Sequence, residues 1–307
     1  MQFVILGSAD SWYFRDLQRA AAGEHELVPL PFSSISAGID EHGQRSTAGR
    51  HSLDECDAIL VRTMPPGSLE QVVFRMDVLG GLARRGVPVI NPPAAIEAAV
   101  DKYLTLARLQ EAGLPVPRTV VCQTVDEAME AFSELGEDVV IKPIFGGEGR
   151  GISRLADPDL AVRAFKMLVE LKAVIYLQEF IPHHGFDLRV LVVGDQVLAM
   201  RRVSESDWRT NIGRGGRAEP VRLEADIEQM ARKAAAAVGA LVAGVDILPG
   251  RDGESSILEV NGVPGWKALA STLDVDVARM MLDLLRQQVA TPSSSWDPDH
   301  SEPAQSP

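Results

Sequence analysis

The sequence predicts a mixed α/β (α+β) fold that opens with an N-terminal parallel α/β domain and continues into units built on antiparallel hairpins. Three observations carry that expectation. Over about the first 92 residues, short apolar runs alternate with helix-period segments, the pattern of strands joined by crossover helices. Further along, apolar runs follow one another through tight turns, as at Gly194-Asp195, which suits antiparallel pairing. With 46% hydrophobic and 24% charged residues over 307 positions, the chain has apolar material for two or three cores.

Taken in order, residues 2–6 read as a buried strand ending at Gly7, and Asp10 or Ser11 caps a helix running to about residue 22. Val28-Pro29-Leu30 is a second strand. Residues 33–52, rich in Ser, Gly and charge, read as a loop excursion. Residues 58–61 form a third strand, Ser68 opens a helix to about 85, and residues 87–90 form a fourth strand. Gly7-Ser8-Ala9 has the position of a dinucleotide-binding turn but not the G-x-G-x-x-G spacing. Asn91-Pro92-Pro93 is a stiff linker candidate.

Helices are expected over 94–100 and 101–112, then an extended stretch to 121. A helix over 124–135 follows, with Thr124 as cap and Glu127 completing a capping box. Residues 139–142 make a strand that runs into a glycine-rich loop (Gly146, Gly147, Gly149, Gly151) and returns as a strand near 152–155. An amphipathic helix over 157–172 leads to a buried strand over 174–181, and residues 188–193 and 196–203 form a hairpin. The polar, glycine-rich stretch 204–219 precedes a helix over 224–238, strands at 244–248 and 256–260, and a helix over 274–290. The expected divisions are 1–92, 93–173, 174–290 and a disordered tail over 291–307.

Composition excludes several classes. A net charge of −13 and a pI near 5.0 argue against a basic nucleic-acid-binding surface. Cys56 and Cys122 are far apart, so neither a disulfide framework nor a zinc knuckle is indicated. The chain begins on a strand-like segment without a basic leader, and no apolar run approaches the roughly 20 residues that span a bilayer. A soluble, cytoplasmic protein is expected, with homo-oligomerisation left open.

The chemistry concentrates in a few stretches. Asp246 lies within one short apolar run, while Glu259 and Asn261 alternate on the next, so pairing of the two strands would converge three hard oxygen donors. That set suits Mg²⁺ or Mn²⁺, and equally describes the polar outer face of an edge hairpin. The glycine loop sits between strands rather than before a helix and is not a Walker A loop; it is either a phosphate-closing lid or a plain hairpin turn. Lys142, immediately before it, is either a phosphate contact or an exposed strand-end lysine. A nucleotide base could meet the backbone at Gln178-Glu179-Phe180-Ile181, under cover of Ile181 and Val140. Arg189 and Arg202 on one hairpin are costly neighbours unless they face an anion, and Arg209, Asn211 and Arg214 add donors for phosphate or carboxylate. No nucleophile arrangement of Ser, Cys or His occurs.

Taken together, Asp101-Lys102, Gln178-Glu179-Phe180-Ile181, Asp187-Leu188-Arg189, Arg209-Thr210-Asn211, Arg214-Gly215-Gly216, Gly244-Val245-Asp246-Ile247-Leu248 and Glu259-Val260-Asn261 resemble, in order and spacing, the ATP-grasp superfamily and within it the RimK-like α-L-glutamate ligases. The resemblance covers roughly residues 1–290, by architecture alone in the N-terminal part. It implies an ATP-grasp fold in which Lys102 and Lys142 contact phosphates and residues 146–151 form the lid. It further implies that Glu179 and Ile181 frame adenine, Asp187 meets the ribose, Arg209 and Asn211 take the phosphate side, and Gln178 and Thr210 belong to the nucleotide-binding set. Asp246, Glu259 and Asn261 would hold one or two Mg²⁺ or Mn²⁺ ions, and Arg189 and Arg202 the substrate carboxylate or acyl phosphate. The implied reaction joins L-glutamate to a carboxylate of a small molecule, cofactor or protein C-terminus, using ATP. The alternatives are another amino-acid or peptide ligase and a non-catalytic ATP-binding regulator. The lead-in Ser204-Glu205-Ser206-Asp207-Trp208 departs from the family pattern and leaves the acceptor open.

Overall fold

In the computed structural model, residues 1–146, 151–204, 207–210 and 216–291 are described. The chain divides into two units: residues 1–93 with those from 276 onward, and residues 94–275. The tail expected over 291–307 lies, after residue 291, outside the described residues.

In the first unit, β1 (Gln2–Leu6), α1 (Trp12–Ala21), β2 (Glu26–Leu30), β3 (Ile35–Asp40), β4 (Gly43–Ala48), β5 (His51–Ser52), β6 (Ala58–Val61), α2 (Leu69–Arg84) and β7 (Val89–Ile90) follow in order. The parallel sheet runs β2-β1-β6-β7. β6 is fully apolar and buried, as a strand covered on both faces must be. Ser11 caps α1 by accepting from Phe14 N at 3.1 Å, and Ser68 and Gln71 exchange side-chain–backbone bonds as a capping box on α2.

The stretch read from sequence as a loop, residues 33–52, is instead a three-stranded antiparallel sheet, β3-β4-β5. Its buried positions are Ile35, Ser46 and Ala48, two of them small, and Ile39 is exposed, so the alternation that marks a strand is muted. Arg85, just past α2, anchors it by donating to Ser46 Oγ at 3.0 Å and to Asp54 Oδ1.

In the second unit, α3 (Pro93–Val100) and α4 (Lys102–Glu111) lead into a sheet ordered β10-β9-β11-β8, from β8 (Thr119–Cys122), β9 (Val139–Lys142), β10 (Ser153–Leu155) and β11 (Ile175–Glu179). Phe132 of α5 (Val125–Glu134) and Phe165 of α6 (Pro158–Glu170) fill its core with Val139, Ile175 and Leu177. A second sheet runs β14-β13-β12-β15-β16. It is built from β12 (Phe186–Val193), β13 (Gln196–Val203), β14 (Arg217–Pro220), β15 (Val242–Pro249) and β16 (Ser255–Asn261). Ala231, Ala234 and Ala235 of α7 (Ala225–Ala237) are buried against this sheet, their small side chains permitting close approach. Two elements have no counterpart in the sequence reading, the edge strand β14 and the short helix α8 (Lys267–Leu273).

The last helix, α9 (Val277–Ala290), packs against α1 and β6 of the first unit. Arg19 bonds both oxygens of Asp276, its cap, and Arg279 pairs with Glu24 at 3.1 Å. Among the described residues no helix is long and apolar enough to cross a membrane. Cys56 and Cys122 are buried free thiols whose burial raises them above the ordinary range, which leaves them poor nucleophiles.

Candidate active site

The second unit gathers charged groups where its two sheets meet. β15 and β16 pair antiparallel, with Asp246 opposite Glu259 and Gly244 opposite Asn261. The register shifts between Asp246 and Ile247, and Ile247 pairs with Ile257, so Leu258 is the extra residue of a β-bulge. The bulge decides which face carries chemistry. Continued without it, the Ile247–Ile257 register would set Asp246 against Leu258 and turn Glu259 to the face of buried Val245. Asn261 Oδ1 accepts from Val263 N at 2.9 Å, which fixes its amide.

Two arginines hold Asp246. Arg189 Nη1 lies 2.7 Å from Oδ1 and Arg202 Nη2 lies 2.9 Å from Oδ2. Arg202 also forms a two-bond pair with Asp187, its cross-strand neighbour on β12. Burial alone would raise Asp246, but Arg202 and Arg189 outweigh it and keep the carboxyl below its usual range. Glu259 is the opposite case: burial, reinforced by Asp246, raises it despite Lys102 and Lys142.

The two lysines face this corner from the other sheet's side. Lys102, at the start of α4, donates to Gly146 O at 2.5 Å, and Lys142, at the end of β9, donates to Gln178 Oε1 at 2.5 Å. Burial lowers the Lys142 ammonium to about 8, with Glu259 and Asp246 opposing that shift and Lys102 adding to it. Lys142 is thus half-buried and bonded to Gln178, not an exposed strand-end lysine.

The remaining residues singled out from sequence are more dispersed. Glu179 accepts from Arg118 N at 2.8 Å and Arg118 Nε at 2.7 Å, so its side chain ties β11 to the start of β8. Ile181 is half-buried just beyond β11. Asp187 is buried and bonded by Arg202 and by Thr210, its burial raising it on balance. Arg209 is clasped by Asp207 at 2.7 Å and reaches Ile152 O at 3.4 Å. Gly151 has φ +72°, and a Cβ there would meet Pro143 at 2.8 Å, so only glycine fits the turn. Gly147, Gly149, Asn211 and Arg214 lie outside the described residues. Sequence reasoning missed Thr119, Tyr176 and Arg118; Tyr176 alone carried a signal, standing two residues from Gln178 on one strand face.

Lys102, Lys142, Arg189 and Arg202 against Asp187, Asp246 and Glu259 leave a net charge of +1 (4 − 3) in a buried space. Burial disfavours the charged forms of both Glu259 and Lys142, and each is relieved by a different guest. A divalent cation suits two carboxylates and an amide oxygen, all hard donors, and a phosphate chain suits the two lysines. Among the described residues no group of three or more His, Cys, Asp or Glu side chains is placed to hold a metal ion, so the donor set here is two carboxylates completed by the Asn261 amide oxygen. The residues present therefore fit Mg²⁺ with a nucleotide triphosphate.

Comparison with known proteins points the same way. Residues 99–285 match the RimK-like ATP-grasp domain family. The tetrahydromethanopterin:α-L-glutamate ligase of Methanosarcina acetivorans is 36% identical over 282 residues, covering 82% of this chain and 87% of that one. The ligase of the same name from Methanocaldococcus jannaschii is 38% identical over 244 residues, covering 77% and 81%. Among solved structures, the ATP-grasp ligase PsnB, complexed with minimal precursor, Mg and ADP, superposes with a TM-score of 0.72 at 24% identity, over 94% of this chain and 97% of that one.

Proposed function

Because this chain belongs to the RimK-like ATP-grasp family and is therefore an ATP-dependent ligase, we propose that it joins L-glutamate to a carboxylate of a small-molecule acceptor. The acceptor class is that of a cofactor bearing a free carboxylate, as the names of the two archaeal relatives indicate for those proteins. The observation that carries the reading is Asp246 opposite Glu259 on paired strands, within reach of the fields of Lys102 and Lys142.

In this reading an acceptor carboxylate oxygen attacks the terminal phosphorus of ATP, releasing ADP and leaving an acyl phosphate. The glutamate amine then attacks the acyl carbon, phosphate departs with the bonding pair, and the amine loses a proton. Asp246, Glu259 and Asn261 would hold one or two Mg²⁺ ions, which supply charge neutralisation at the transferred phosphoryl group. Lys102 and Lys142 hold phosphate oxygens. Arg189 and Arg202 share Asp246 and present further guanidinium donors to the acyl phosphate or a substrate carboxylate. No protein nucleophile is required; the chain contributes placement and charge in a buried space.

The test is an ADP-release assay with ATP, Mg²⁺, single amino acids and a panel of carboxylate acceptors, read in parallel by mass spectrometry of the acceptor. Turnover with L-glutamate, abolished by Lys142→Ala and by Glu259→Ala, supports the reading. Turnover only with a different amino acid would move the chain to another ligase specificity. Nucleotide binding without turnover on any acceptor would refute it.

A further inference from the structure

Gln178 is 2% exposed on β11, between Thr119 of β8 and Val140 of β9, and its side-chain amide is committed on both ends. Nε2 donates to Thr119 Oγ1 at 3.0 Å and to the Tyr176 hydroxyl at 3.3 Å, while Oε1 accepts from Lys142 Nζ at 2.5 Å. The direction of this relay is set by its far end. Thr119 Oγ1 spends its hydrogen on Pro117 O at 3.0 Å, so toward Gln178 it can only accept. An acceptor there draws the NH₂ end of the amide, which leaves the carbonyl end for the ammonium.

The choice of an amide also has a physical consequence. A carboxylate at this position would neutralise Lys142 and compete with any phosphate for its field, whereas a neutral acceptor fixes the ammonium and leaves its full charge for the guest. A buried, unanchored lysine would have several rotamers open to it, and ordering them would weaken binding.

We propose that Gln178 is a positioning residue that aims Lys142 at the nucleotide phosphates, its own amide oriented by Thr119 and Tyr176. This rests on the reading of Lys142 as a phosphate contact. Besides Gln178, the groups acting on Lys142 are Lys102 from α4, Asp246 from β15 and Glu259 from β16.

The experiment compares wild type with Lys142→Ala, Gln178→Glu, Gln178→Leu and Thr119→Val, all screened for unchanged circular dichroism. Mg·ATP binding is measured by calorimetry, and kcat and KM for ATP are measured across alkaline pH. Lys142→Ala comes first: nucleotide binding as tight as wild type would remove the phosphate reading itself. With that reading standing, Gln178→Glu should raise KM for ATP about tenfold at neutral pH, a free-energy change of about 1.4 kcal/mol. It should also move the alkaline limb of kcat/KM to higher pH, because an added anion stabilises the ammonium. Gln178→Leu and Thr119→Val should raise KM for ATP severalfold and leave KM for the amino acid unchanged. Gln178→Glu with a wild-type KM and an unmoved alkaline limb would overturn the positioning role while leaving the phosphate reading intact. Equal changes in both Michaelis constants for Gln178→Leu and Thr119→Val would reduce the network to a packing element.

Discussion

Asp246 and Glu259 face each other across one pair of strands, yet they should respond in opposite ways when neutralised in the metal-free protein. Asp246→Asn removes the anion that Arg189 and Arg202 share at 2.7 and 2.9 Å, and leaves Arg202 paired with Asp187 and Arg189 in the field of Glu259. Breaking a buried pair from one side typically costs about 3–5 kcal/mol. For a unit spanning Ala94–Val275, at about 2–4 °C per kcal/mol, Tm should fall by at least about 6 °C. Glu259→Gln removes a charge that its surroundings disfavour, since burial and Asp246 together outweigh the lysines. Its metal-free stability should be unchanged or higher. Both variants should lose the stabilisation that Mg²⁺ with ADP confers on wild type, because ligand linkage needs the bound state. Thermal melts with and without Mg·ADP measure all four quantities. If metal-free Glu259→Gln falls as far as Asp246→Asn, the two carboxylates are equivalent structural anions and the cation site is misassigned.

Three further outcomes are expected. A Cβ at Gly244 would come within 2.5 Å of the Arg189 guanidinium, so Gly244→Ala should displace that group from Asp246, lower Tm and cut ligase turnover at least tenfold, read by steady-state kinetics beside a thermal melt. Among the described residues His25 has no hydrogen-bond partner on either ring nitrogen, and burial, the N-terminal ammonium and Arg286 lower it against the pull of Glu24. The unfolded chain therefore takes up the proton first, and stability contributed by the neutral ring is lost as pH falls below the ordinary histidine value of about 6.5; His25→Phe should flatten that acid slope in denaturant titrations. Ser68→Ala removes the capping box of α2 and should cost about 1 kcal/mol in the same assay, with catalysis unaffected.

Elements with a strong period or a cap were legible in the sequence. The β1 and β6 runs, the Ser11 and Ser68 caps and the Gly194-Asp195 hairpin stand where residue type puts them. The β3-β4-β5 sheet was not legible, because Ser46 and Ala48 stand beside Ile35 at its buried positions, Ile39 is exposed, and its support comes from distant Arg85. At the candidate site, the residue types of Asp246, Glu259 and Asn261 pointed to hard oxygen ligands, but the bulge at Leu258 that turns Glu259 toward Asp246 has no sequence mark. Nor could spacing reveal that Glu179 is clasped by Arg118, because that bond joins strands far apart in the chain, whereas the Asp187–Arg202 pair follows from the register of the hairpin closed at Gly194-Asp195. The helix at 277–290 was found, but not its partners: an amphipathic face states that it will be buried and not against what.

That last helix has a bearing on biosynthesis. Val277, Met281, Leu282 and Leu285 supply part of the apolar interior that α1 and β6 require, and they leave the ribosome some two hundred residues after those elements. The nascent N-terminal sheet must therefore wait, incompletely covered, while the whole intervening stretch is translated and has time to fold. A stop codon just before Val277 would spare every residue of the candidate catalytic corner and still strand the opening sheet with a greasy flank, so truncated chains should engage chaperones and precipitate.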